Sequence, residues 1–277
     1  RLTSDPQGTH LTQRLVLKSL RSPSPRISHI SILHLAAEDP GAGKALTLAG
    51  ISGGFWHMKP TFPPESLRWR ERHLTGPGRI RLDSDDTGRS ANSQTPLWIL
   101  SSGAASLWFG PEWSGCWNLD VRRTGGVVTL DVGLPTMDFR LDKGTTIELP
   151  AASWGTCAGG IATASNVLRK VLRERFLPPV DGARPLPPVV FQGLGGLPRF
   201  QDGRTLCREA DRAAALGCEA FVLDAGWYNA PDNEAWQDTF AEWDASLERF
   251  PEGLAHFARY VRSRGMRFGL WFEPHVR

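Results

Sequence analysis

Through the first part of the chain, apolar residues come in short runs or alternate with polar ones, and Gly, Pro, Asn and Ser break the runs. The segments Ala45-Leu-Thr-Leu-Ala-Gly-Ile51, Arg79-Ile-Arg-Leu82, Leu97-Trp-Ile-Leu100, Ala105-Ser-Leu-Trp-Phe109, Asn118-Leu-Asp-Val-Arg122, Gly126-Val-Val-Thr-Leu-Asp-Val132 and Thr145-Thr-Ile-Glu-Leu149 predict strands. Many short strands separated by turn signals predict a β-sandwich over residues 1–177. One helical stretch closes it, because Ile161, Ser165, Leu168, Val171 and Leu172 recur at helical spacing. The run Pro178-Pro-Val-Asp-Gly-Ala-Arg-Pro-Leu-Pro-Pro188 can propagate neither a helix nor a central strand, so residues 178–187 read as a linker. From 188 to 277 the pattern becomes strand, helix, strand, helix, strand: Pro188 to Leu194, Arg204 to Leu216, Phe221 to Trp227, Leu254 to Arg264 and Arg267 to Phe272. Leu206, Ala210, Ala213 and Ala214 share one face of the first helix, and Leu254, Phe257, Ala258 and Val261 share one face of the second. Gly217 and Gly265 end them. Two successive βαβ units predict parallel strands with right-handed crossovers, and their strand ends look like the rim of an incomplete (β/α)₈ barrel, of which these would be the first three strands.

Polar residues at the carboxyl ends of these strands sharpen the reading. Phe221-Val-Leu-Asp-Ala-Gly-Trp-Tyr228 and Arg267-Phe-Gly-Leu-Trp-Phe-Glu-Pro274 each deliver a carboxylate beside aromatic rings. In a parallel barrel, the chemistry collects at that edge. A sugar site needs carboxylates that accept hydroxyl hydrogens and an aromatic face against the apolar side of the ring. Asp224, Trp227, Trp243 and Glu273 could supply that recognition. On spacing alone, Asp224 could equally cap the following turn and Glu273 could pair with a cation on a neighbouring strand.

Composition narrows the class further. A chain of 277 residues, 40% hydrophobic and 22% charged, can bury a core. Its net charge of +3 is spread over 32 basic and 29 acidic residues, which predicts neither a nucleic-acid nor a membrane-surface partner. Cys116, Cys157, Cys207 and Cys218 lie singly at wide spacings, so buried free thiols are expected, with no metal site and no cofactor. No stretch has the order of a signal peptide, and no apolar run approaches the ~20 residues that span a bilayer, so a cytoplasmic location is expected. Eleven Trp stand against two Tyr. Trp98, Trp108 and Trp154, on or beside strands, are expected in the core, whereas Trp113 and Trp117 flank Ser-Gly in a turn and are placed near a sugar or an interface.

Four motifs agree in register over residues 224–274: Asp224-Ala-Gly-Trp-Tyr228, Glu242-Trp243, Arg249-Phe-Pro-Glu-Gly-Leu254 and Gly265-Met-Arg-Phe-Gly-Leu-Trp-Phe-Glu-Pro274. Together they resemble the family 36 glycoside hydrolases, the bacterial-type α-galactosidases. Upstream, Thr87-Gly-Arg-Ser90, Glu112-Trp-Ser-Gly-Cys-Trp117 and Ala164-Ser-Asn-Val-Leu168 look like marks of the β-supersandwich domain that precedes the barrel in that family. The resemblance implies retaining hydrolysis of terminal α-linked galactose in oligosaccharides such as melibiose or raffinose. One Asp attacks the anomeric carbon, and another protonates the leaving oxygen and then activates water.

In the family those two Asp residues follow later strands, the nucleophile in a K-x-D-x-N-R-like motif that these 277 residues lack. No catalytic residue is therefore assigned, and Asp202, Asp232 and Asp244 are not substitutes. The resemblance implies a fragment, with its barrel less than half built at Arg277 and inactive by itself. What carries over is the substrate rim, with Asp224 matching the first Asp of D-D-G-W, Trp227 the Trp of that motif, Trp243 the Trp of G-D-W and Glu273 the Glu of F-E-P. Ala225 departs from the pattern, standing where many members have a second Asp, as do Phe191-Gln-Gly193, Ala241-Glu242 and His275. Two other readings stay open: a non-catalytic galactoside-binding or structural remnant, and a related α-glycosidase acting on N-acetylgalactosamine or another sugar. Family members often form homo-oligomers in which one subunit's sandwich approaches another's site.

Overall fold

A computed structural model describes residues 1–4, 10–39, 44–52, 68–84, 88–91, 93–135, 137–177, 179, 182, 187–192, 202–228 and 243–272. The chain divides into two compact units, Arg1–Pro178 and Pro179–Arg277. Most of the linker stretch lies outside the described residues.

The first unit is built from β1 (Leu2–Ser4), β2 (Leu11–Gln13), β3 (Val16–Lys18), β4 (Ile30–Glu38), β5 (Leu46–Ser52), β6 (Trp69–Leu74), β7 (Gly78–Asp83), β8 (Gln94–Ser101), β9 (Ala105–Glu112), β10 (Asn118–Thr124), β11 (Val127–Leu134), β12 (Thr146–Glu148) and β13 (Ala151–Ala158). Helix α1 (Ile161–Val171) follows and runs into a π-helical turn, Leu172–Phe176. A seven-stranded antiparallel sheet has the order β1-β2-β13-β9-β8-β5-β6, a four-stranded one β4-β11-β10-β7, and β12 pairs with β3. The two larger sheets share one core: Leu48, Trp98, Phe109 and Ala152 from the first meet Leu33, Leu82, Val121, Leu130 and Val132 from the second.

Strand periodicity explains the third layer. Trp98 and Phe109, cross-strand partners, point into the shared core, whereas the next pair, Ile99 and Trp108, points out of the opposite face. There α1 covers them with Ala164 and Val171. The β10–β11 hairpin turns on Gly125 and Gly126 at φ 59° and 78°, a two-residue loop in the left-handed region that glycine enters without steric cost. Strand β10 also carries Arg123 into the interior. Its guanidinium is 3% exposed and donates from Nε and one terminal nitrogen to Asp39, both at 2.7 Å, and from the other to the Lys44 and Leu74 carbonyls, both at 2.8 Å.

The second unit consists of β14 (Val190–Gln192), α2 (Gly203–Ala215), β15 (Ala220–Leu223), α3 (Leu254–Ser263) and β16 (Arg267–Leu270). The three strands are parallel in the order β14-β15-β16. Residues 193 and 194 of the expected first strand lie outside the described residues, and the expected strand to Trp227 stops at Leu223, where the chain turns. Phe191, Phe221 and Phe268 stand in register across the sheet on one face. Phe221 stacks on Phe191 at 4.9 Å, and both Phe221 and Phe268 meet Phe257 of α3 edge-on at 5.8 Å. Leu206, Ala210 and Ala213 of α2 complete this layer, matching the apolar faces expected from the sequence. Asp202 caps α2, its Oδ1 accepting from the Thr205 amide at 2.7 Å. Asp211 of α2 and Tyr260 and Arg264 of α3 close a clip between the helices, with Arg264 Nε at 2.6 Å and the Tyr260 hydroxyl at 2.9 Å from Asp211.

The four cysteines are free but half-buried rather than buried. Sequence spacing does not set exposure, which depends on where the fold places each thiol. Among the described residues, no helix is long and apolar enough to cross a membrane.

Candidate functional site

Asp224 is the first residue after β15, at the carboxyl edge of the parallel sheet. Its half-buried carboxylate accepts from the Ala225 amide at 2.6 Å on Oδ1 and from the Gln192 side-chain amide on Oδ2. Gln192 ends β14 in register with Val222, two residues before Asp224, so Gln192 and Asp224 stand on the same sheet face. The structure therefore places a carboxylate and a carboxamide together at the ends of adjacent strands.

Beside them the chain reverses. Gly226, at φ 93°, makes a turn that other residues rarely adopt, and Trp227 folds back beneath it. The Trp227 indole N–H donates to the Trp271 carbonyl at 2.9 Å, and the Trp271 amide donates to Leu223 at 2.8 Å, so the ends of β15 and β16 are tied through one ring. The Ser246 amide donates to the Trp227 carbonyl, and Tyr228 bridges to Ala245, which returns Trp243 to the same place. Trp243 lies nearly parallel to Trp227, with centroids 6.1 Å apart and planes 22° apart. It meets Tyr228, Phe272 and Trp271 edge-on at 5.2, 5.0 and 6.5 Å. Trp227 is 4% exposed and Tyr228 fully buried, whereas Trp243 and Trp271 are half-buried and Phe272 is exposed. The exposed ring surface of this cluster thus comes from Trp243, Trp271 and Phe272, with Trp227 as their floor. Burial pushes the Tyr228 hydroxyl above its ordinary range, with the Asp224 charge adding to the shift. Burial likewise pulls the Arg249 guanidinium down.

Of the four expected rim residues, Trp227 and Trp243 stack on each other, Asp224 begins the turn that leads to Trp227, and Glu273 lies outside the described residues. Among the turn tryptophans, Trp113 is exposed, but Trp117 is not a surface platform. It is 1% exposed, its amide accepted by Ser84 and its indole N–H by the Ser90 carbonyl at 2.7 Å. The flanking Ser114-Gly115 signalled a turn, and the ring turns inward from it. Gln192 was missed as a site residue, although the signal that marks Asp224, a polar residue closing an apolar parallel strand, is present in Val189-Val-Phe-Gln192.

The melibiase family model matches residues 150–276. Over that stretch the chain is similar to the melibiase family. The chain is 26% identical over 215 residues to the α-galactosidase Mel36A of Lactobacillus acidophilus, and 30% over 149 residues to α-galactosidase 1 of Pediococcus pentosaceus. It is 28% identical over 215 residues to the α-galactosidase of Escherichia coli. These alignments cover 74%, 53% and 72% of this chain but only 29%, 20% and 30% of those relatives. Solved structures share the fold. The galactosidase domain of the α-galactosidase–sucrose kinase AgaSK superposes with a TM-score of 0.75 at 19% identity, covering 96% of this chain and 36% of that one. A GH36 α-galactosidase AgaA variant from Geobacillus stearothermophilus, solved in complex with raffinose, superposes at 0.73 and 20% identity with the same coverage. The matched residues contain the whole parallel sheet and therefore every residue of the candidate site.

Proposed function

We propose that this chain supplies the sugar-recognition front of an α-galactosidase-like retaining glycosidase acting on terminal α-linked galactose in oligosaccharides. In this reading residues 1–177 form the β-sandwich domain, 178–187 the linker and 188–277 the first three strands of a (β/α)₈ barrel. The observation that carries it is the Asp224 carboxylate at the carboxyl end of a parallel strand, three residues before Trp227, on which the partly exposed ring of Trp243 stacks, in a segment similar to α-galactosidases. An ionised carboxylate accepts from two vicinal or near-vicinal sugar hydroxyls, and an aromatic ring covers the C–H face that an axial hydroxyl leaves apolar. Trp227 holds the ring cluster from below.

Retaining hydrolysis needs a nucleophile and an acid/base carboxylate about 5–5.5 Å apart across the glycosidic bond. The sequence has no K-x-D-x-N-R-like motif, and the chain spans under a third of the curated relatives it matches, which supports placing both groups outside residues 1–277. Asp224 binds in this scheme and does not attack. The test is hydrolysis of melibiose and raffinose by the 277-residue chain, for which no turnover is expected. Turnover that disappears in Asp224→Ala would overturn the assignment.

One observation favours a second reading of the substrate. Ala225 offers only its backbone N–H, to Asp224, where the family pattern has a second carboxylate. A sugar with an axial hydroxyl and another substituent, N-acetylgalactosamine included, fits a site with fewer acceptors. A panel of methyl α-glycosides separates the two.

A further inference from the structure

We propose that Gln192 is a positioning residue for the sugar-binding carboxylate: its side-chain amide fixes the rotation of Asp224 so that one lone pair of each oxygen faces the ligand. For its ligand, this inference rests on the galactoside reading above. Gln192 donates to Oδ2 and the Ala225 amide to Oδ1, so the two oxygens are held from two directions and the carboxylate cannot spin about its terminal bond without breaking one contact. The donors come from different elements, one from the end of β14 and one from the turn after β15. A group held in its binding orientation before the ligand arrives loses less rotational freedom on binding. The carboxamide also suits the place chemically. It donates without carrying charge, so it leaves the carboxylate's full negative charge for sugar hydroxyls, whereas a cation there would compete with them.

Gln192 is exposed, so substitutions there leave the core intact. Among the described residues, Tyr228, Asp244, Glu248 and Arg249 lie on the connection that follows Asp224, β14 has no titratable group, and β16 carries Arg267 at its opposite end.

The test titrates methyl α-galactoside into the 277-residue chain and follows tryptophan fluorescence, with Gln192→Leu, Gln192→Asn and Gln192→Glu as variants. Gln192→Leu is expected to weaken binding about tenfold, the size of one lost hydrogen bond to a charged group. Gln192→Asn, one methylene shorter, behaves like Leu. Gln192→Glu sets two carboxyls together: protonated, the new group donates as the amide did, and ionised, it repels. Its affinity should therefore match wild type at pH 5 and fall by more than tenfold toward pH 8, while wild type stays flat. A residue that only fills space would not create that pH dependence.

Equal affinity in wild type and Gln192→Leu, with a flat Gln192→Glu profile, overturns the proposal. A second readout needs no sugar: the ¹⁵N side-chain amide resonances of Gln192, compared in wild type and Asp224→Ala. A hydrogen-bonded amide proton shifted downfield in wild type and restored in the variant supports the pairing, even if no galactoside binds, in which case the galactoside reading alone fails. Unchanged resonances overturn the pairing itself.

Discussion

Asp39→Ala probes the interior of the antiparallel unit at its most polar point. The Arg123 guanidinium is 3% exposed and the Asp39 side chain 17%, and the pair is joined by two parallel hydrogen bonds of 2.7 Å. Removing the carboxylate takes away the bidentate acceptor of a buried cation and keeps its bonds to the carbonyls of Lys44 and Leu74. Breaking such a pair from one side costs about 3–5 kcal/mol, chiefly because the remaining buried charge loses its carboxylate. For a unit of this size each kcal/mol lowers Tm by roughly 2–4 °C, so the expected drop is ~6–20 °C. That is a large share of a stability on the order of 5–15 kcal/mol. Thermal and urea melts followed by circular dichroism measure it. The double variant Arg123→Met/Asp39→Leu, which removes both charges, should recover most of the loss. The reasoning is refuted if Asp39→Ala costs less than about 1 kcal/mol, or if the double variant is worse than the single one.

Three further outcomes are expected. Trp117→Ala should destabilise the first unit by about 3–5 kcal/mol, as for other buried tryptophans, whereas Trp113→Ala should stay within ~0.5 kcal/mol; equal effects in urea melts would contradict the placement of Trp117 in the core. Asp202→Ala removes the α2 cap and should cost about 1 kcal/mol, with faster amide exchange at Thr205 as the local sign. The Arg264 hydrogen bond, with help from Tyr260, holds the Asp211 carboxyl below its ordinary range. A depressed folded value means that the clip stabilises the fold above the unfolded pKa of about 3.9 and is lost as pH falls through the lower folded value. The melting difference between wild type and Asp211→Asn should therefore be present at pH 7 and close below about pH 4, and a difference that grows in acid would contradict it.

Elements whose signal is local could be read from the sequence. The β10–β11 hairpin announces itself by alternation on both sides of Gly125-Gly126, and α2 and α3 by their apolar faces. Strand β13 does not: Ala151-Ala-Ser-Trp-Gly-Thr-Cys-Ala158 is mostly small residues, and it becomes a strand because each of its eight positions pairs with β9. Strand β6, Trp69-Arg-Glu-Arg-His-Leu74, is charged because it is a sheet edge, where polar side chains discourage further pairing. Strands β1 to β3 are three residues each, too short for any period to show.

The site divides along the same line. Asp224 was legible because its position at a strand end is a property of its own segment. Gln192 carries the same strand-end signal, but its bond to Asp224 was not legible, because the two are 32 positions apart and only the parallel pairing brings them close. Trp227 and Trp117 show the converse. The sequence marks them as aromatic and near a turn, but whether a ring faces solvent or the interior depends on what the rest of the chain stacks above it.

The most direct test of the central claim is equilibrium binding of galactose to the 277-residue chain, with glucose as the epimeric control and Asp224→Ala and Trp243→Ala as variants. Saturable binding of galactose over glucose, lost in both variants while their melts keep a cooperative transition, is the expected result. Equal binding of the two epimers, or galactose binding that survives Asp224→Ala unchanged, would contradict the assignment of this rim as a galactoside site.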